Sequence, residues 1–195
     1  MEKNELPHKN RITWPDNSVF FTTSSTFLHY PFFREFNQKM IVLDKIKQVG
    51  NIEGMEVIAY SIAMNHFHLL THVRKGLAIT KMKTLLHSGI SREYRKAFNV
   101  PYPDFWQNSR TLWIKDEKAY WSVLGYTAGN LLKHKEVGSF KELLESPFSS
   151  FSILSQEHGL ETSREIVTAV IAVEESAEGA IDIEEISACE IPRMR

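Results

Sequence analysis

The chain has 195 residues, enough for one domain with a proper core, and its 43% hydrophobic and 11% aromatic content is that of a globular protein. The single cysteine, Cys189, excludes an internal disulfide and a cysteine-rich zinc module, and points to a reduced, cytoplasmic setting. No apolar run approaches the ~18 residues needed to span a bilayer, and the polar N-terminus lacks the apolar centre of a signal peptide. Net charge is −1, but up to Gln156 there are 20 Lys and Arg against 14 Asp and Glu, and beyond it 3 against 10. A basic body of +6 thus carries an acidic tail of −7, so the average does not exclude a nucleic-acid partner.

Residues 1–17, broken by Pro7 and Pro15, read as a loosely ordered lead-in to a domain over 18–156, followed by an acidic extension over 157–195. Ser18 to Ser25 has strand composition. The loop after it is aromatic, and Tyr30 and Phe33 suit either the core or base stacking. Phe36, Met40, Leu43 and Ile46 then recur at helical spacing up to Gly50, a suitable C-terminal cap. Two runs rich in β-branched and aromatic residues follow, Glu56 to Ala63 and His66 to Val73, separated by Met64 and Asn65, which predicts a hairpin.

In its second strand His66 and His68 are in phase, so both imidazoles point to one face while Phe67, Leu69 and Thr71 point to the other. Imidazole is the commonest transition-metal ligand, and same-face spacing suits shared coordination; a solvated strand histidine is the plainer alternative. A helical pattern from about 77 to 97 carries Lys81, Lys83, Arg92, Arg95 and Lys96, facing either a phosphate backbone or water. After a proline-rich turn, Ser109 to Lys115 reads as a strand that includes Trp113, and Asp116 as the N-cap of a helix running through Lys133 and Lys135. Tyr126 and Asn130 are four residues apart and share a face of that helix, which suggests a nucleophile held beside a metal. Gly125 lowers its helix propensity by about 1 kcal/mol against Ala and is expected to let the helix move.

In this order the chain shows MNHFHLL, FWQ, the helix start IKDE, Tyr126, Asn130, the KHK run and FKELLESPFSSF. Over roughly Val19 to Phe151 it resembles the HUH-type, single-tyrosine transposase superfamily of the IS200/IS605 kind, and more closely the transposases associated with repetitive extragenic palindromes. Leu131 follows Asn130 where such proteins often have proline. The resemblance implies an α/β fold, a central antiparallel sheet with helices packed on it, of the ferredoxin-like or palm type. It implies that His66, His68 and Asn130 hold a divalent metal, Mg²⁺ or Mn²⁺, and that Tyr126 attacks DNA to give a 5′-phosphotyrosine. Single-stranded or hairpin DNA is the implied partner, with Lys81, Lys83, Arg92, Arg95, Lys96, Lys133 and Lys135 as candidate contacts. Monomer and homodimer both remain open.

Two rival functions stand beside this DNA endonuclease and strand transferase. One is a domesticated hairpin-binding protein that no longer cleaves. The other is a metal hydrolase that uses His66, His68 and bound water on an unrelated substrate. The acidic tail is expected to shield the basic DNA surface by competing with phosphate, or to serve as a solubilising or partner-binding extension.

Overall fold

The computed structural model describes residues 13–173 and 183–191. Strand β1 (Ser18–Thr26) is joined by a 3₁₀ turn, Phe27–His29, to helix α1 (Phe36–Val49). Strands β2 (Met55–Ile62) and β3 (His66–Val73) form the expected hairpin. The long basic helix is divided into α2 (Ala78–Thr84), a π turn over Leu85–Gly89 and α3 (Ile90–Ala97). Strand β4 (Trp106–Ile114) begins three residues earlier than its composition suggested.

The four strands pair antiparallel in the order β2-β3-β1-β4. This is the ferredoxin-like βαββαβ arrangement. Because β1 is central, it pairs on one side with β3 and on the other with β4, and Phe20 and Phe21 are fully buried within it. The β2 edge is covered by the segment before Phe151, through Ile62 N to Phe148 O at 2.9 Å and Ser150 N to Tyr60 O at 2.9 Å.

The two sheet faces have different covers. On the Ser24 and Phe67 face lie α1 and the α2–α3 arm, whose His87 Nε2 is 3.0 Å from Ser24 Oγ. On the histidine face, α4 (Glu117–Lys133) lies over β2 and β3. The Asp116 carboxylate caps α4 as its sequence position suggested, accepting from Ala119 N at 2.8 Å. Gly50 ends α1 with right-handed backbone, φ −61, rather than the left-handed turn that favours glycine.

Short helices α5 (Phe140–Glu145) and α6 (Phe151–His158) lead to α7 (Leu160–Val170), and α8 (Ile183–Ala188) follows. Both α7 and α8 pack on α4. Ile166, Val167 and Val170 are fully buried there, and burying a side chain of that size contributes about 1.5–3 kcal/mol. Within the residues read as an acidic extension, α7 is therefore part of the packed body; Glu174, Glu175, Glu178 and Asp182 lie outside the described residues. No helix among the described residues is long and apolar enough to cross a membrane.

The α7 contact also gives a reason for Gly125. A Cβ at Gly125 would meet Ile166 Cγ2 at 2.6 Å, and one at Gly129 would run into Val167. These glycines let two helices approach closely, which is a packing role rather than the hinge that propensity suggested.

Two stability predictions follow from this architecture. Gly129→Ala gains about 1 kcal/mol of helix propensity, but overpacking costs about 1–3 kcal/mol, so the urea midpoint should fall. Val167→Ala in the same chain should restore much of the loss, measured as coupling in a double-mutant cycle. On the other face, burial of His87, aided by the nearby Lys83 charge, lowers its pKa to about 4. The unfolded chain then takes up this proton first, so stability is constant above about pH 6.5, falls by about 3 kcal/mol as pH drops to about 4, and levels below that. Urea titrations at several pH values should show this component in the wild type and not in His87→Gln.

Candidate active site

The site starts from the pairing register of β3. Its period of two puts His66 and His68 on the face covered by α4. His68 stands opposite Ser61 on β2 and Thr23 on β1, and Thr23 in turn stands opposite Arg110 on β4. A row Ser61, His68, Thr23, Arg110 therefore crosses all four strands on one face. His66 is opposite Ser25, which pairs with Asn108.

Helix α4 brings the other two residues. Tyr126 meets His68 edge-on with ring centroids 5.2 Å apart, and Phe21 stacks on His68 at 5.3 Å. One turn later, Asn130 Oδ1 is 3.1 Å from His66 Nε2. The helix runs unbroken through Asn130 and Leu131 to Lys133, so the absence of proline does not disturb this placement. His66 and His68 are themselves 4.9 Å apart. The structure thus brings His66, His68, Asn130 and Tyr126 together from one strand and one helix.

Among the described residues no group of three His, Cys, Asp or Glu is placed to hold a metal ion, so any site here uses an amide beside the imidazoles. Two ligands on adjacent vertices of an octahedron with bonds of about 2.1 Å lie about 3.0 Å apart. The 3.1 Å separation of His66 Nε2 and Asn130 Oδ1 matches that spacing. Asn130 Nδ2 is buried and has no hydrogen-bond partner among the described residues. Two imidazole nitrogens and an amide oxygen fit a divalent ion of the Mn²⁺ or Mg²⁺ kind.

The surroundings are buried and polar. Tyr126 is 1% exposed, and the hydroxyls of Thr23, Ser61 and Thr127 are buried without hydrogen-bond partners among the described residues. The Lys133 ammonium lies 5.5 Å from the Tyr126 ring centre and donates to the carbonyls of Ile171 and Val173 beyond α7. The exposed His134 packs edge-on to His66 at 4.7 Å.

The basic residues read as DNA contacts do not converge on this site. Lys81, Lys83, Arg92, Arg95 and Lys96 belong to the α2–α3 arm on the opposite face. Arg95 donates to the carbonyls of Tyr102 and Pro103, closing a loop. Of the two from the KHK run, Lys133 is engaged as above and Lys135 is exposed with a left-handed backbone, φ 56. Among the aromatics, Phe33 is fully buried and Trp106 packs among Phe33, Phe67 and His87, whereas Tyr30 is 39% and Trp113 44% exposed. Sequence reasoning missed Arg110, because strand register is invisible before pairing, and Asn65, whose only signal is its place before the histidine pair.

Residues 31–126 match the family described as transposase, IS200-like. A REP-associated tyrosine transposase, solved bound to a REP hairpin, is 16% identical and superposes with a TM-score of 0.55 over 89% of this chain and 98% of that one. A candidate transposase from Deinococcus radiodurans, also 16% identical, aligns over 63% of this chain and 92% of its own with a TM-score of 0.41. No curated protein matches the chain. Over residues 31–126 the chain is thus similar to the IS200-like transposase family, and over most of its length it shares the fold of a tyrosine transposase.

Proposed function

We propose that this chain is a metal-dependent, single-stranded DNA endonuclease and strand transferase that acts through Tyr126. The observation that carries the reading is the meeting of Tyr126 and Asn130, one turn apart on α4, with the in-phase pair His66 and His68. A hairpin-bound structural neighbour supports DNA containing a hairpin as the partner. The setting proposed is the cytoplasm, with the protein at the nucleoid when DNA is bound.

In this mechanism the Tyr126 hydroxyl oxygen attacks phosphorus in line, and the bond from phosphorus to the 3′ oxygen breaks. The phenol gives up its proton, the leaving 3′ oxygen takes one up, and a 5′-phosphotyrosine and free 3′-hydroxyl result. His66, His68 and Asn130 would hold the divalent ion, which when bound would supply charge stabilisation for the phosphoryl group. A tyrosine hydroxyl is ordinarily protonated at neutral pH, so the step needs a nearby base or water to take the phenol's proton. The covalent link keeps the phosphodiester's energy, so a second 3′-hydroxyl reverses the step and joins strands. Arg110, exposed on the site face at the β4 edge, offers a cation to the backbone of the entering strand.

The near-complete burial of Tyr126 favours one second reading, a protein that binds hairpin DNA and no longer cleaves it. A denaturing gel with labelled single strands and hairpins, in Mg²⁺ or Mn²⁺, separates the two. An adduct should form with the wild type, disappear in Tyr126→Phe and fall at least about 10²-fold in His68→Ala, since each removes a part the step requires. Binding without any adduct selects the silent reading, and cleavage that survives Tyr126→Phe but not His68→Ala selects the water-using hydrolase. Arg110→Ala should weaken single-strand binding and reduce its salt slope by about 1.

A further inference from the structure

Between β2 and β3 the Met64–Asn65 turn is held from several sides. Asn65 O accepts from both Thr26 N and Thr26 Oγ1 at 2.9 Å, and Met64 O accepts from Phe33 N at 2.8 Å. Met64 N donates to Glu136 Oε1 at 2.6 Å. The other Glu136 oxygen pairs with the Lys39 ammonium of α1, both side chains being only 9% exposed. Glu136 reaches the turn because Lys135 adopts a left-handed backbone after α4, which folds the chain back so that Glu136 N donates to Leu131 O at 2.9 Å. The same short segment thus carries Asn130 on α4 and, six residues later, the carboxylate that grips the turn before His66.

The turn also decides what the His66 ring presents. Asn65 Nδ2 donates to His29 O at 3.3 Å, which leaves Oδ1 as the atom 2.7 Å from His66 Nδ1. An amide oxygen only accepts, so Nδ1 carries the proton, and in the neutral ring Nε2 then holds a lone pair. That lone pair lies 3.1 Å from Asn130 Oδ1, which is also an acceptor.

We infer that the Met64–Asn65 turn is a positioning device for His66: Asn65 fixes the Nδ1–H tautomer that aims the Nε2 lone pair at Asn130, and Glu136, charge-balanced by Lys39, fixes the turn to α4. The inference deepens the metal-dependent reading above and rests on it for its purpose, though not for its geometry. A buried ion pair adds little net stability, whereas it does fix relative position, and here the parts fixed are the strand ligand and the helix ligand. Neighbours of a ligating histidine that set its tautomer typically change metal affinity 10–100-fold when removed.

The test uses the full chain, labelled with ¹⁵N-histidine. Long-range ¹H–¹⁵N spectra of the metal-free protein report the His66 tautomer, Mn²⁺ titration reports affinity, and urea unfolding reports stability. The wild type should show Nδ1–H at His66. Asn65→Ala should shift His66 toward Nε2–H and weaken Mn²⁺ binding at least about 10-fold, leaving His68 unchanged, while Asn65→Asp, which keeps an acceptor, should restore the tautomer. Lys39→Met with Glu136→Ala should weaken Mn²⁺ binding with the tautomer intact. Retention of Nδ1–H and of wild-type affinity in Asn65→Ala would overturn the proposal, as would a loss of stability alone. If the wild type binds no Mn²⁺, the metal-dependent reading fails, and the tautomer comparison still decides the role of Asn65.

Discussion

Helix α4 has to satisfy two neighbours at once, and the rest of the site depends on that. Toward the sheet it presents Tyr126 and Asn130 to the histidine pair; toward the chain's C-terminal part it presents Gly125 and Gly129 to Ile166 and Val167 of α7. A larger residue at either glycine would push the helix away from α7 or into the sheet. Since Asn130 and His66 are held at hydrogen-bond distance, a shift of even 1 Å would part them. The position of Tyr126 is therefore set as much by small residues on the far side of its helix as by the residues it touches.

Interior polarity at this place is costly elsewhere in a protein. Thr23, Ser61 and Thr127 carry buried hydroxyls without partners among the described residues, and each such group ordinarily costs about 1–3 kcal/mol. Ser61 and Thr23 flank His68 in a row that runs out to the exposed Arg110. A chain selected for stability alone would fill these positions with valine or alanine. Their retention fits a face built for charged chemistry, with the apolar packing of Phe20, Phe67 and Leu69 kept on strand positions that point the other way.

Much of this was legible in the sequence where a period or a cap determined it. The phase of His66 and His68, the four-residue spacing of Tyr126 and Asn130 and the Asp116 cap all follow from local geometry, and the structure places them accordingly. What was not legible depends on partners distant in sequence. The cations of the α2–α3 arm read as candidate DNA contacts, and their arm lies on the sheet face opposite the histidines, which a helical pattern alone does not tell. Gly125 read as a hinge because the approach of Ile166, some forty residues later, leaves no trace in local propensity. Arg110 and Glu136 acquire meaning only through strand register and a turn after α4.

The order β2-β3-β1-β4 has a consequence for how the molecule comes to exist. The first strand made is the central one, and it waits with one side unpaired until β4 is complete at Ile114, a long closure that slows folding. The clamp on α4 arrives later still, with α7 at Leu160–Val170. During synthesis, then, the histidine hairpin closes early, the tyrosine helix second and its glycine-packed support last. The strand and helix sides of the site therefore reach their final arrangement only once the chain has been made through α7.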